Sequence, residues 1–206
     1  AHTKRSLEPF QSETLLNWKK HDHRGIINHA TGSGKTVTAI HAVYEHIQTG
    51  WAAIIVVPSV LLLKQWHQEV LRDIPHATIQ LCGAGNTTWK GNKRIINLLQ
   101  QNKEKQGAII LAVLDTFSSK SFLNKLSNLE NILLVADEVH TLGSLNSRPV
   151  LGLNFGKRLG LSATPERHRD ADGTKLIFDF FERELSPVIS IKDAIEKGRL
   201  VNYIYE

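Results

Sequence analysis

The chain has 206 residues, of which 41% are apolar, enough to bury the core of one sizeable domain and to exclude global disorder. Twenty-five Lys and Arg stand against 20 Asp and Glu, and the net charge of +5 favours an anionic partner such as phosphate groups or nucleic acid, although the same excess serves plain solubility. A single cysteine, Cys82, excludes an intramolecular disulfide and a multi-cysteine metal centre and fits a reducing, cytoplasmic setting.

The apolar runs are too short to span a bilayer, so no membrane partner is expected. The N-terminal residues lack the apolar stretch of a signal peptide. Methionine is absent throughout, and the sequence reads as part of a longer natural protein.

In chain order, buried strands are predicted at Gly25–Asn28, Ala52–Val57, Thr78–Leu81, Ala108–Val113, Ile132–Ala136 and Arg158–Leu161. Helices are predicted at Gly34–Gln48, Val60–Arg72, Lys93–Lys103 and Thr116–Leu126. Strands alternating with helices imply βαβ units, hence an α/β fold with a mostly parallel sheet covered on both faces. The alternative is an α+β arrangement of the same runs. Beyond a turn-rich, charged segment at Ser162–Gly173, helices are expected at Thr174–Glu182 and Ile191–Lys197, with a short strand at Leu200–Tyr205.

The segment His29-Ala30-Thr31-Gly32-Ser33-Gly34-Lys35-Thr36 follows a predicted strand and opens a predicted helix, the setting of a phosphate-binding loop. Thr31, Gly32, Ser33 and Gly34 bring backbone N–H groups around phosphate oxygens, and the helix N-terminus adds partial positive charge. Lys35 is placed to reach the outer phosphates and the Thr36 hydroxyl to bind Mg2+. His29 departs from the pattern, which has glycine there. A second signal is Asp137-Glu138 at the end of the strand Ile132–Ala136, about a hundred residues downstream. Ligands bind at the carboxyl ends of strands in such folds. Asp137 is expected to hold Mg2+, and Glu138 to orient and deprotonate the attacking water.

Asp137-Glu138-Val139-His140 resembles the Asp-Glu-x-His box of superfamily 2 helicases and translocases. Ser162-Ala163-Thr164 resembles their motif III, Val57-Pro58-Ser59 through Gln65-Trp66 motif Ia, Asp115-Thr116-Phe117 motif Ib, and Leu7-Glu8-Pro9-Phe10-Gln11 the upstream adenine-reading motif. The group containing type III restriction motor subunits and XPB-like DNA helicases is the most similar. That group tolerates a residue other than glycine at the position of His29 and often has Arg at that of Glu8.

The resemblance covers roughly residues 5–205 and implies a three-layer RecA-like domain that binds and hydrolyses ATP with Mg2+. Its core would span about residues 5–165, with 166–206 leading toward a second RecA-like domain. It implies that Gln11 bonds the adenine edge, and that His140, Ser162, Ala163 and Thr164 couple the nucleotide site to domain movement. Pro58, Ser59, Gln65, Thr116 and Phe117 would lie along a nucleic-acid strand, DNA before RNA. ATP turnover by the isolated domain would be weak. The alternatives are a nucleotide-gated binding module without turnover and an unrelated phosphate-loop kinase.

Of the remaining features, His21-Asp22-His23 reads as a solvated loop before a metal pair. Trp66 is expected in the core. Trp89, in a loop beside Lys90, Lys93 and Arg94, is the better candidate for stacking on a base.

Overall fold

The computed structural model describes residues 3, 5–91, 93–102, 104–166 and 170–190. The elements are α1 (Pro9–Lys20), β1 (Arg24–Asn28), α2 (Lys35–Ile47), β2 (Ala53–Val57), α3 (Val60–Asp73), β3 (Ile79–Cys82), α4 (Arg94–Leu99), β4 (Ile109–Val113), α5 (Leu114–Phe117), α6 (Lys120–Leu123), β5 (Leu133–Asp137), β6 (Lys157–Ser162) and α7 (Ala171–Phe181).

The named strands form one parallel sheet in the order β1-β6-β5-β2-β4-β3. All six strands predicted from the apolar runs are present within a residue or two. Their near-continuous hydrophobicity is the mark of strands covered on both faces. On β2, Ala53, Ile55 and Val57 face a core built with α1, α2 and α3, through Leu15, Trp18, Ile40, Leu63 and Trp66. Ile54 and Val56 face the opposite core with Ile95, Phe117, Phe122, Ile177 and Phe181, from α4 to α7. The result is three layers, helix, sheet and helix.

Four helical expectations change. Helix α1 adds to the predicted set, and Pro9 at its start and the spacing of Phe10, Thr14 and Trp18, all buried on one side, carry its signal. The helix expected at Lys93–Lys103 is only Arg94–Leu99. The one expected at Thr116–Leu126 is split into α5 and α6, because Ser119 breaks the run and caps α6 by accepting the Phe122 N–H. The helix of the tail starts earlier, at Ala171, capped by Asp170, which accepts the Gly173 N–H. The expectations for Ile191–Lys197 and Leu200–Tyr205 lie outside the described residues.

The packed body also runs past the expected boundary near residue 165. Phe181 and Leu185 are fully buried. From Arg183 to Ile189 the chain lies parallel to β1, with Ile26 N–H donating to Arg183 O, Leu185 N–H to Ile26 O and Ala30 N–H to Ile189 O. This strap covers the backbone edge that β1 would otherwise expose.

His46, on α2, is buried, and its Nε2–H donates to Ala52 O at 3.0 Å. Burial lowers its pKa from 6.5 to about 4. The unfolded chain therefore takes up a proton near pH 6.5 that the folded chain refuses until about pH 4. The stabilising contribution is complete above pH 6.5 and lost as the pH falls toward 4, at most about 3 kcal/mol. Denaturant midpoints should drop steeply between pH 7 and 4.5. His46→Gln, which keeps a donor but does not titrate, should flatten the slope; equal slopes would show that His46 is not its source.

Candidate nucleotide and nucleic-acid site

The strand order turns motifs scattered along the sequence into a row. β6 is the shared neighbour of β1 and β5, with Asn28 beside Ser162 and Leu161 beside Asp137. The phosphate loop after β1, Ser162-Ala163-Thr164 after β6 and Asp137-Glu138 after β5 therefore share one edge of the sheet. Further along that edge follow Pro58 and Ser59 after β2, Thr116 after β4, and a Gly83-Ala84-Gly85 turn after β3. The nucleotide candidates occupy one half of the row and the strand-contacting candidates the other.

Gly34, with φ +84°, is the hinge between loop and α2, and a Cβ there would come within 2.5 Å of Gln11 Nε2. Glycine meets both demands at once. Lys35 Nζ donates to His29 O at 2.7 Å and to Ala30 O at 3.2 Å. Burial lowers the Lys35 pKa, opposed by the charges of Glu138 and Asp137. The carboxylates of β5 thus favour the Lys35 cation across the gap from β1. Thr31 and Gly32 are exposed, Ser33 is buried, and Thr36 is half-buried in the first turn of α2.

His29 stands where the usual pattern has glycine, and the strap supplies the reason. Its ring is fully buried, packs on Phe10 at 5.3 Å between centroids, and donates from Nε2 to Pro187 O at 2.8 Å. The substitution fastens the phosphate loop to the strap beside β1.

Gln11 is bound within the protein. Its Oε1 accepts the Glu8 N–H at 2.9 Å, and its Nε2 donates to Ser33 O and Gly34 O at 3.2 and 3.3 Å. An adenine edge would compete with the phosphate loop for the same amide hydrogens. Glu138 has left-handed backbone, φ 48° and ψ 59°, a conformation that non-glycine residues adopt at a cost and that clusters at functional sites. Thr141 Oγ1 donates to its carbonyl at 2.8 Å, and His140 Nδ1 lies 3.4 Å from its Oε2. Ser162 is fully buried and accepts the Thr164 N–H at 3.0 Å, Ala163 is half-buried, and Thr164 is exposed.

On the strand-contacting half, Ser59 caps α3 by accepting the Leu62 N–H, while Gln65 is exposed. Two aromatic rings of this half are buried. Phe117 is fully buried, its ring 5.2 Å from that of Phe122, which leaves its backbone as the part that could meet a strand. Trp89 is 3% exposed and packs on Phe122 at 5.1 Å. A basic loop in sequence proves to be a lid whose aromatic ring faces the core, the more favourable place for so large an apolar surface. The Gly83 turn joins this half of the edge, and Gly-x-Gly after a strand is the signal for it in the sequence. Its φ is +99°, and a Cβ would come within 2.7 Å of Thr116 Oγ1.

The oxygens of Asp137 and Thr36 are the hard donors Mg2+ prefers, and Mg2+ needs only one or two protein ligands beside phosphates and water. No cluster of three or more His, Cys, Asp or Glu able to hold a metal occurs among the described residues. No helix of the described residues is long and apolar enough to cross a membrane.

Sheet, loop and paired carboxylates define a RecA-like phosphate-loop domain. The chain belongs to the family described as type III restriction enzyme, res subunit, which matches residues 4–167. It is 31% identical over 163 residues to the DNA 3'-5' translocase XPB2 of Sulfurisphaera tokodaii, covering 78% of this chain and 31% of that protein. It is 27% identical over 166 residues to the putative DNA 3'-5' helicase Rad25 of Halobacterium salinarum, covering 81% of this chain and 24% of that one. The chain thus spans a quarter to a third of the length of these curated relatives.

Among solved structures, the SWI2/SNF2 ATPase core of Sulfolobus solfataricus in complex with dsDNA superposes with a TM-score of 0.62 at 17% identity, covering 96% of this chain and 41% of that one. The ATP-dependent type ISP restriction-modification enzyme LlaBIII bound to DNA superposes at 0.71 and 16% identity, covering 97% and 16%. At these identities the structures speak for the fold.

Proposed function

We propose that this chain is the ATP-binding domain of a superfamily 2 DNA helicase or translocase, coupling hydrolysis of Mg2+-ATP to binding or movement along DNA. The observation that supports this reading is the shared sheet edge, where strand order sets the phosphate loop with Lys35 after β1 and the pair Asp137-Glu138 at the end of β5 on either side of β6. Lys35 and the backbone of residues 31–36 would bind the phosphates, and Gln11 the adenine edge. Thr36 and Asp137 would hold Mg2+, which neutralises phosphate charge. Glu138 would take the proton of the attacking water. His140, Ser162, Ala163 and Thr164 would relay the state of the outer phosphate, and Pro58, Ser59, Gln65 and Thr116 would contact a nucleic-acid backbone without reading sequence.

A second RecA-like domain of the full-length protein would face the same edge and supply arginines to the transferred phosphoryl group. Alone, this chain would bind ATP, hydrolyse it slowly and unwind nothing. Its place of action is inside the cell, where ATP and DNA meet. The test is ATP turnover by the full-length protein with single- and double-stranded DNA and RNA. Turnover that rises with DNA supports the reading, and turnover indifferent to every nucleic acid overturns it.

A further inference from the structure

Trp66 is 1% exposed on α3, with its ring in the core between α2, α3 and the sheet. Any large apolar ring would serve that packing, yet the indole brings one polar group into it. That N–H donates from Nε1 to Asp137 Oδ2 at 2.8 Å. The other carboxylate oxygen, Oδ1, accepts the Glu138 backbone N–H at 3.0 Å. Asp137 is thus gripped at both oxygens, from its own chain neighbour and from a helix capped by Ser59 on the opposite half of the sheet edge. Each oxygen retains a second lone pair. The indole N–H is buried, so losing this partner carries a desolvation cost, and the bond constrains both groups.

We propose that Trp66 is a positioning residue for magnesium, holding the Asp137 carboxylate so that its remaining lone pairs receive the ion or its bound water. This rests on the reading of Asp137 as the Mg2+-holding residue. Mg2+ demands near-ideal octahedral geometry, and loss of a group that orients a metal-binding side chain costs roughly 10–100-fold in metal affinity or activity.

The test is equilibrium binding of ADP, titrated with and without Mg2+, to the parent, Trp66→Phe and Asp137→Asn. Phenylalanine keeps most of the ring volume and removes the N–H. The expected result is that Trp66→Phe binds ADP without Mg2+ as the parent does, but needs roughly 10–100-fold more Mg2+ for the magnesium-dependent gain in affinity. A merely structural role would weaken both measurements alike, and that outcome overturns the proposal, as does an unchanged magnesium requirement. If the parent itself gains nothing from Mg2+, or if Asp137→Asn keeps the gain, the reading of Asp137 fails and the proposal with it. Should Trp66→Phe not fold, the indole N–H resonance of Trp66 in the parent, assigned by substituting the other three tryptophans, reads the same contact. A shift on adding Mg2+ to the ADP complex supports the proposal, and a stationary resonance overturns it.

Discussion

Replacing Glu138 by Gln is expected to reduce ATP turnover of the full-length protein by about 10²–10⁴-fold, the usual contribution of a positioned general base. ATP affinity should change little. The residue occupies left-handed backbone at the end of β5, fixed by the Thr141 hydroxyl on its carbonyl and the Asp137 carboxylate on its N–H. Glutamine keeps the shape and the backbone contacts, and removes the charge that accepts a proton. A radiolabelled ATPase assay beside equilibrium ATP binding separates the two quantities. Equal inactivity of parent and variant, with ATP bound by both, would favour a nucleotide-gated module over a motor. Undiminished turnover in the variant would remove Glu138 from the mechanism.

Lys35→Met should lower affinity for ATP by roughly 10–100-fold, the scale of one hydrogen bond to a charged group. The same change should leave the fold intact or more stable. Burial disfavours the Lys35 cation, and its Nζ is held by His29 and Ala30 carbonyls inside the loop. Methionine fills similar space without that desolvation cost, and the trade of stability for function is the expected pattern at such a site. Thermal melts beside nucleotide titrations would test both halves. A variant that loses binding only because it unfolds would contradict this account of Lys35, and one that binds ATP normally would move the phosphate site elsewhere.

Much of this molecule is legible in its linear order. The strands are visible because a parallel sheet covered on both faces demands uninterrupted apolar runs, as in Ala53–Val57 and Ile109–Val113. The phosphate loop is visible because its chemistry is local, with backbone N–H groups, a glycine hinge and a lysine all lying within a few residues. Asp137-Glu138 is visible because it ends such a run.

What the sequence could not decide is what depends on partners distant along the chain. Phe117 and Trp89 read as exposed candidates until Phe122 is seen to draw both into the core. His29 reads as a defect until Pro187 is found beside it, and Gln11 as a free amide until the carbonyls of Ser33 and Gly34 are seen to hold it. Trp66 reads as plain core until its N–H meets Asp137. Periodicity and local motifs report which surface a residue needs to bury and which backbone it can adopt. Hydrogen bonds across the sheet edge are settled only by strand order, and strand order brings together residues whose spacing in the chain carries no trace of their contact.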